Sequence, residues 1–156
     1  MKKIYLISVL YLLWFNTVFA KNISISDDFE FDLICKFQKT ITRTDFKDLN
    51  NYNEEEIKAK SISNLSVTSK KPETLLIEGL SDFINTKSDN NKLEVKVVNK
   101  SVILFRAVND ENNYSESAVL DRKSGELIHE ITKNINSENP DKEITFYLCQ
   151  SKKQNI

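Results

Sequence analysis

Glycine and proline are nearly absent: the chain has two of each in 156 residues, with one histidine, one methionine, one tryptophan and two cysteines. So few glycines and prolines leave no flexible linker, and no internal repeat or low-complexity tract divides the chain. One domain is expected, at about 150 residues per domain. A single histidine excludes multi-histidine metal centres and His-rich catalytic clusters. No Walker loop, GxGxxG, HExxH, GxSxG or zinc-ligand spacing occurs, so no cofactor and no metal are expected. Neither sign of charge dominates: 22 basic against 23 acidic side chains give a net −1, with no field to draw the chain onto nucleic acid. The charged content of 29% excludes a membrane-embedded chain, while 40% hydrophobic residues exceed what a disordered chain carries.

What is present begins with an address. Met1-Lys2-Lys3 is a short basic start, and the run from Ile4 to Phe15 is apolar apart from Ser8. Val18 and Ala20 then stand three and one residues before a cut, the layout of a secretory signal peptide. Residues 1–20 are read as that peptide, with cleavage between Ala20 and Lys21, and residues 21–156 as the mature domain. The apolar run is shorter than the roughly 20 residues of a membrane span, so no span is expected in the mature chain. Lys21, where a lipoprotein would carry cysteine, argues against a lipid anchor. The expected location is periplasmic or secreted. Cleavage leaves 136 residues with 20 basic and 23 acidic side chains, a net −3, and removes the only Trp and the only Met.

Both cysteines, Cys35 and Cys149, survive cleavage and lie 114 positions apart. An even count in an exported protein favours a disulfide, against the alternative of two buried thiols; no CxxC spacing supports a redox-active pair.

Alternation is the main signal after Lys21. Phe29, Phe31, Leu33, Cys35 and Phe37 share one face, Asp28, Glu30, Asp32, Lys36 and Gln38 the other, and Ile34 alone breaks the pattern. From Glu143 to Gln150, Ile144, Phe146 and Leu148 alternate with Thr145, Tyr147 and Cys149. Both cysteines therefore fall in strands, and a bond between them joins the first strand to the last, which suits a closed or nearly closed sheet. Further strands are expected over 61–68, 73–80, 92–99, 101–108, 117–122 and 126–131. Gly125 closes the hairpin between the last two, and the pairs Asn50-Asn51, Asn90-Asn91 and Asn112-Asn113 supply left-handed turns in place of glycine. Asn53 to Glu56 reads as a capping box opening a short helix to Lys60. The expected fold is all-β, a single antiparallel β-barrel or β-sandwich of about seven to nine strands; the alternative is an α+β domain with 53–60 and 126–135 helical.

Chemistry is scarce. His129 alternates with Leu127 and Ile131 and reads as a satisfied structural histidine rather than an acid–base catalyst. Asp27, Asp28, Glu30 and Asp32 lack the regular ligand spacing of a calcium loop, and Glu30 and Asp32 read as a solvated strand face. Asp121-Arg122-Lys123-Ser124-Gly125-Glu126-Leu127 is the most distinctive string. It offers either an exposed Arg122 for an anionic ligand or a turn in which Arg122 pairs with Asp121 or Glu126. Arg122 and His129 are the candidate ligand-binding residues, and no catalytic residue is assigned. N-x-S/T sequons begin at Asn22, Asn64, Asn99 and Asn113.

The signal peptide, the early strand cysteine Cys35, the D-R-x-x-G-x-L hairpin from Asp121 to Leu127 and the terminal-strand cysteine Cys149 resemble small uncharacterised exported bacterial β-proteins with one disulfide. The arrangement also distantly resembles the lysozyme inhibitors of the membrane-bound C-type family. That resemblance implies a small disulfide-bearing β-barrel, but the functional loop residues of the family have no match here and none is carried over. The expected function is binding without catalysis, of a small apolar or amphipathic ligand in the barrel, or alternatively of an envelope protein as an interaction or inhibitor protein.

Overall fold

A computed structural model describes residues 28–70, 74–84 and 92–152. The expected signal peptide and its cut between Ala20 and Lys21 lie outside the described residues, as do Asn90 and Asn91. Nine strands follow in chain order: β1 Phe29–Thr42, β2 Phe46–Asp48, β3 Ile62–Lys70, β4 Thr74–Glu78, β5 Lys92–Val98, β6 Val102–Asn109, β7 Tyr114–Asp121, β8 Glu126–Lys133 and β9 Asp141–Ser151. Between β2 and β3 lie a single 3-10 turn, Leu49–Asn51, and a short α-helix, α1 Glu54–Lys60. The strands form one antiparallel sheet in the order β4-β3-β1-β9-β8-β7-β6-β5, with β2 paired to β1, curled into a half-barrel. The all-β expectation holds, as one sheet rather than two stacked ones.

The sheet does not close where the cysteines suggested. First and last strands do pair, through a long register from Leu33↔Ser151 to Thr42↔Glu143, but they lie in the middle of the sheet. The break falls between β4 and β5, consecutive in sequence and unpaired with each other. The chain is thus an up-and-down meander joined at its ends and opened at one internal connection. Register shifts in β1, between Leu33 and Cys35 and between Phe37 and Lys39, lie next to the disulfide and mark where that strand bends.

Local chemistry explains most element ends. Asn53 accepts from the Glu56 amide and the Glu56 carboxylate accepts from the Asn53 amide, the expected reciprocal cap. Glu54 to Glu56 in the first turn and Lys58 and Lys60 in the last suit the helix dipole. The segment 126–135, ambiguous in sequence, is strand β8 as far as Lys133. Its partners β7 and β9 satisfy its backbone on both sides, which outweighs the helical spacing of Leu127, Ile128, Ile131 and Ile135. Of the asparagine pairs expected to turn left-handed, Asn112-Asn113 does so at Asn113 (φ 50°), whereas Asn50 and Asn51 lie in the single 3-10 turn; Asn134, outside those pairs, also takes positive φ of 54°. Gly125 has φ 76°, and a Cβ there would stand 2.3 Å from the Cys149 carbonyl oxygen. The hairpin tip therefore rests on the disulfide strand.

The core lies on the concave face. Cys35 and Phe37 of β1, Leu65 and Val67 of β3, Leu75 and Ile77 of β4, Ile103 and Phe105 of β6, Ala118 and Leu120 of β7 and Leu127 of β8 are buried there. The last strand reverses the face that apolar alternation suggested. Thr145 and Cys149 are buried, while Leu148 is 43% exposed. The Cys35–Cys149 bond fixes which face turns inward, and the direct register pairing of the two residues makes the bond possible. Ile34, which broke the pattern of β1, points outward and is 47% exposed.

Candidate functional site

Four side chains from three parts of the chain meet inside the half-barrel. Glu116 on β7 and His129 on β8 are diagonal neighbours on the inner face, because Ala118 pairs with His129 and Glu116 with Ile131. His129 Nε2 lies 2.9 Å from Glu116 Oε2, and both side chains are almost wholly buried. The Ser81 hydroxyl, beyond the end of β4, donates to the same Oε2 at 2.6 Å. The Tyr114 hydroxyl donates to Oε1 at 2.5 Å. The Ile84 amide donates to Ser81 Oγ at 3.1 Å, and Phe83 packs edge-on against Tyr114 with ring centroids 4.9 Å apart. Directly across the next ladder from His129 is Thr145, whose hydroxyl is 3.5 Å from that of Thr40 on β1.

A carboxylate taken out of water must be compensated by donors and opposite charge. Burial pushes the Glu116 pKa up. Hydrogen bonds with His129, Ser81 and Tyr114, and the electrostatic attraction of His129, outweigh it and hold the pKa below the usual carboxylate value. Burial first, then the hydrogen bond to Glu116 and its charge, and lastly the charge of Glu143, push Tyr114 well above an ordinary phenol. Tyr147 is pushed up to about 12, by burial and the charges of Glu143 and Glu116 against a hydrogen bond with Thr145 that lowers it. The cluster is an anionic acceptor surrounded by donors, each committed to another member.

Sequence reading placed His129 on an apolar inner face, and the structure does the same. It missed Glu116, Tyr114 and Ser81, because one expected strand began at Ser117 and another ended at Leu80, which left these three residues unassigned. A signal existed: stepping back by two from Leu120 and Ala118 reaches Glu116 and Tyr114.

Arg122 is not beside His129. Its guanidinium lies 4.6 Å from the Phe29 ring centroid and 5.6 Å from that of Phe31, and Nη1 donates to the Asn99 carbonyl at 2.9 Å. The expected local pairing with Asp121 or Glu126 is replaced by this stacking. Asp121 instead accepts from the Lys123 and Ser124 amides, which also lower its pKa. A cleft of about 340 Å³ beside the hairpin is lined by Phe31, Leu33, Leu120, Arg122, Lys123 and Cys149 among others. A second cleft, of about 500 Å³, lies between the β1–β2 turn and the facing ends of β8 and β9, lined by Thr42, Arg43, Thr44, Ile131, Lys133, Asp141, Lys142 and Glu143. Both are open and of mixed polarity. No group of three or more His, Cys, Asp or Glu side chains among the described residues could hold a metal ion. Cys35 and Cys149 form the expected disulfide. This bond is consistent with an oxidising compartment. No described helix is long and apolar enough to cross a membrane.

No protein-family model, curated protein or solved structure matches the chain, so the resemblance to lysozyme inhibitors is neither supported nor opposed.

Proposed function

We propose that the mature chain is an exported binding protein that holds its ligand without transforming it. The observation that carries this reading is the commitment of the only histidine. His129 spends its Nε2 on a buried carboxylate that already accepts from Ser81 and Tyr114, so neither group is presented to a substrate. A disulfide across the central strand pair gives a rigid frame on which exposed segments can be held for recognition. Among the described residues Phe105, Ile77, Ile84, Ile103 and Leu127 pack the concave side, which favours recognition by exposed segments over a ligand held inside.

A second reading, an interaction or inhibitor protein of the envelope, draws on the convex face. There Phe146, Ile128, Val119, Leu104 and Val97 are successive ladder partners and form one apolar row across five strands. The test incubates mature wild-type protein and His129→Gln with envelope extract and follows both retained and consumed compounds by mass spectrometry. Retention without consumption is expected. Turnover that disappears in His129→Gln, with circular dichroism unchanged, would overturn the proposal.

A further inference from the structure

We infer that residues 79–84 occupy the seat of a peptide ligand, one carrying a hydroxyl donor followed two and three residues later by an aromatic and a branched aliphatic side chain. The inference rests on the binding reading above and gives it a site. It starts from the topology. The segment leaving β4 lies at the open side of the half-barrel, yet it does not pair with β5. It reaches β7 instead, three strands in from the far edge counting β5 itself.

Its contacts are those of an occupant rather than of a strand. Ser81 to Ile84 lie outside every described strand, and their contacts include Ser81 on Glu116, Phe83 on Tyr114 and the buried Ile84 side chain. The chain enters through Gly79, whose φ is +87° and where a Cβ would stand 2.0 Å from the Asn64 carbonyl oxygen, so a sharp turn separates the segment from β4. The seat is built without it. Tyr114 through Leu120 pair continuously with Lys133 through Leu127. With Ser81 gone, Glu116 would still accept from Tyr114 and His129. Beside Glu116, Ala107 lies directly across the ladder and Ala118 follows in the same strand, two short side chains in the buried cluster that also contains Ile84.

The seat's chemistry selects its ligand. Glu116 is an acceptor with room for a third donor on Oε2, the edge of Tyr114 takes an aromatic ring, and the short alanines face the place of an aliphatic group. A lipid tail would fill the apolar part but offer no donor in place of the Ser81 hydroxyl on Glu116 Oε2. A peptide with a Ser-x-aromatic-aliphatic pattern meets all three requirements and replaces the segment contact for contact.

Two measurements test this together. A fluorescently labelled peptide of residues 78–84 is titrated into wild type and into Ser81→Ala/Phe83→Ala/Ile84→Ala, with circular dichroism recorded on both. At least ten-fold tighter binding to the folded triple variant is expected; equal or no binding to the folded variant would overturn the inference. Should the variant not fold, native-state hydrogen exchange of wild type decides. The Ile84 amide is expected to exchange at least a hundred-fold faster than Ala118 on β7 while the ladder stays protected. Exchange of Ile84 only through global unfolding would overturn the seat, and would leave untouched any ligand retained elsewhere on the molecule.

Discussion

Replacing Glu116 by glutamine keeps the shape of the side chain and removes the charge on which three donors converge. Glutamine offers one carbonyl acceptor and an NH₂ group, so a hydroxyl facing the NH₂ must turn to accept from it and its own proton loses its partner. Breaking a buried pair from one side typically costs about 3–5 kcal/mol, and the retained carbonyl places Glu116→Gln near the lower end, about 3 kcal/mol. Against a domain stability of about 5–15 kcal/mol that loss is large. The pH dependence gives a second signature. Folding lowers the Glu116 pKa, so the folded chain binds this proton less tightly than the unfolded one. Its contribution is present above the unfolded value of about 4.3 and is lost as pH falls through the lower folded value. Urea unfolding at pH 7 and at steps down to pH 3 should therefore show the wild type and Glu116→Gln converging in acid. A pH 7 difference below about 0.5 kcal/mol, or parallel acid profiles, would refute the reasoning.

The remaining predictions concern the frame. Cys35→Ser should lower stability by about 2–5 kcal/mol, seen as a lower urea midpoint, and intact wild type should take up no alkylating agent before reduction. Gly125→Ala should cost about 1–3 kcal/mol in thermal unfolding, because alanine resists φ +76° and its Cβ meets the Cys149 carbonyl. In an alkaline titration followed at 295 nm, Tyr147 should ionise near pH 12 and Tyr114 well above 10, and Tyr147→Phe should remove its step. Both tyrosines are held neutral by folding, so their stabilisation is full below the unfolded value of about 10 and fades as pH rises through the folded values.

Period-two alternation made the strands of this chain legible, and the short helix announced itself through Asn53 and Glu56. Where the pattern ran through polar residues the reading failed. Thr145, Tyr147 and Cys149 look like an outer face beside Ile144, Phe146 and Leu148, yet the disulfide turns them inward. Tyr114 and Glu116 went unassigned because a buried carboxylate contradicts the hydrophobic rule; its partners include Ser81 and His129, 35 and 13 residues away. Such compensation is a tertiary fact that no local window contains. Arg122 was visible as an exposed cation, but its seat on Phe29 and Phe31 depends on β1 lying close to the β7–β8 hairpin. The break between β4 and β5 was equally hidden, since each strand taken alone is ordinary.

The central proposal, that this protein works by holding a ligand, is tested most directly by native mass spectrometry of the chain expressed from its full sequence and recovered without denaturation. The account predicts a disulfide-bonded chain beginning at Lys21 and carrying a stoichiometric adduct that is released on unfolding. Only bare chain at every concentration of native extract, together with consumption of an extract component, would contradict it.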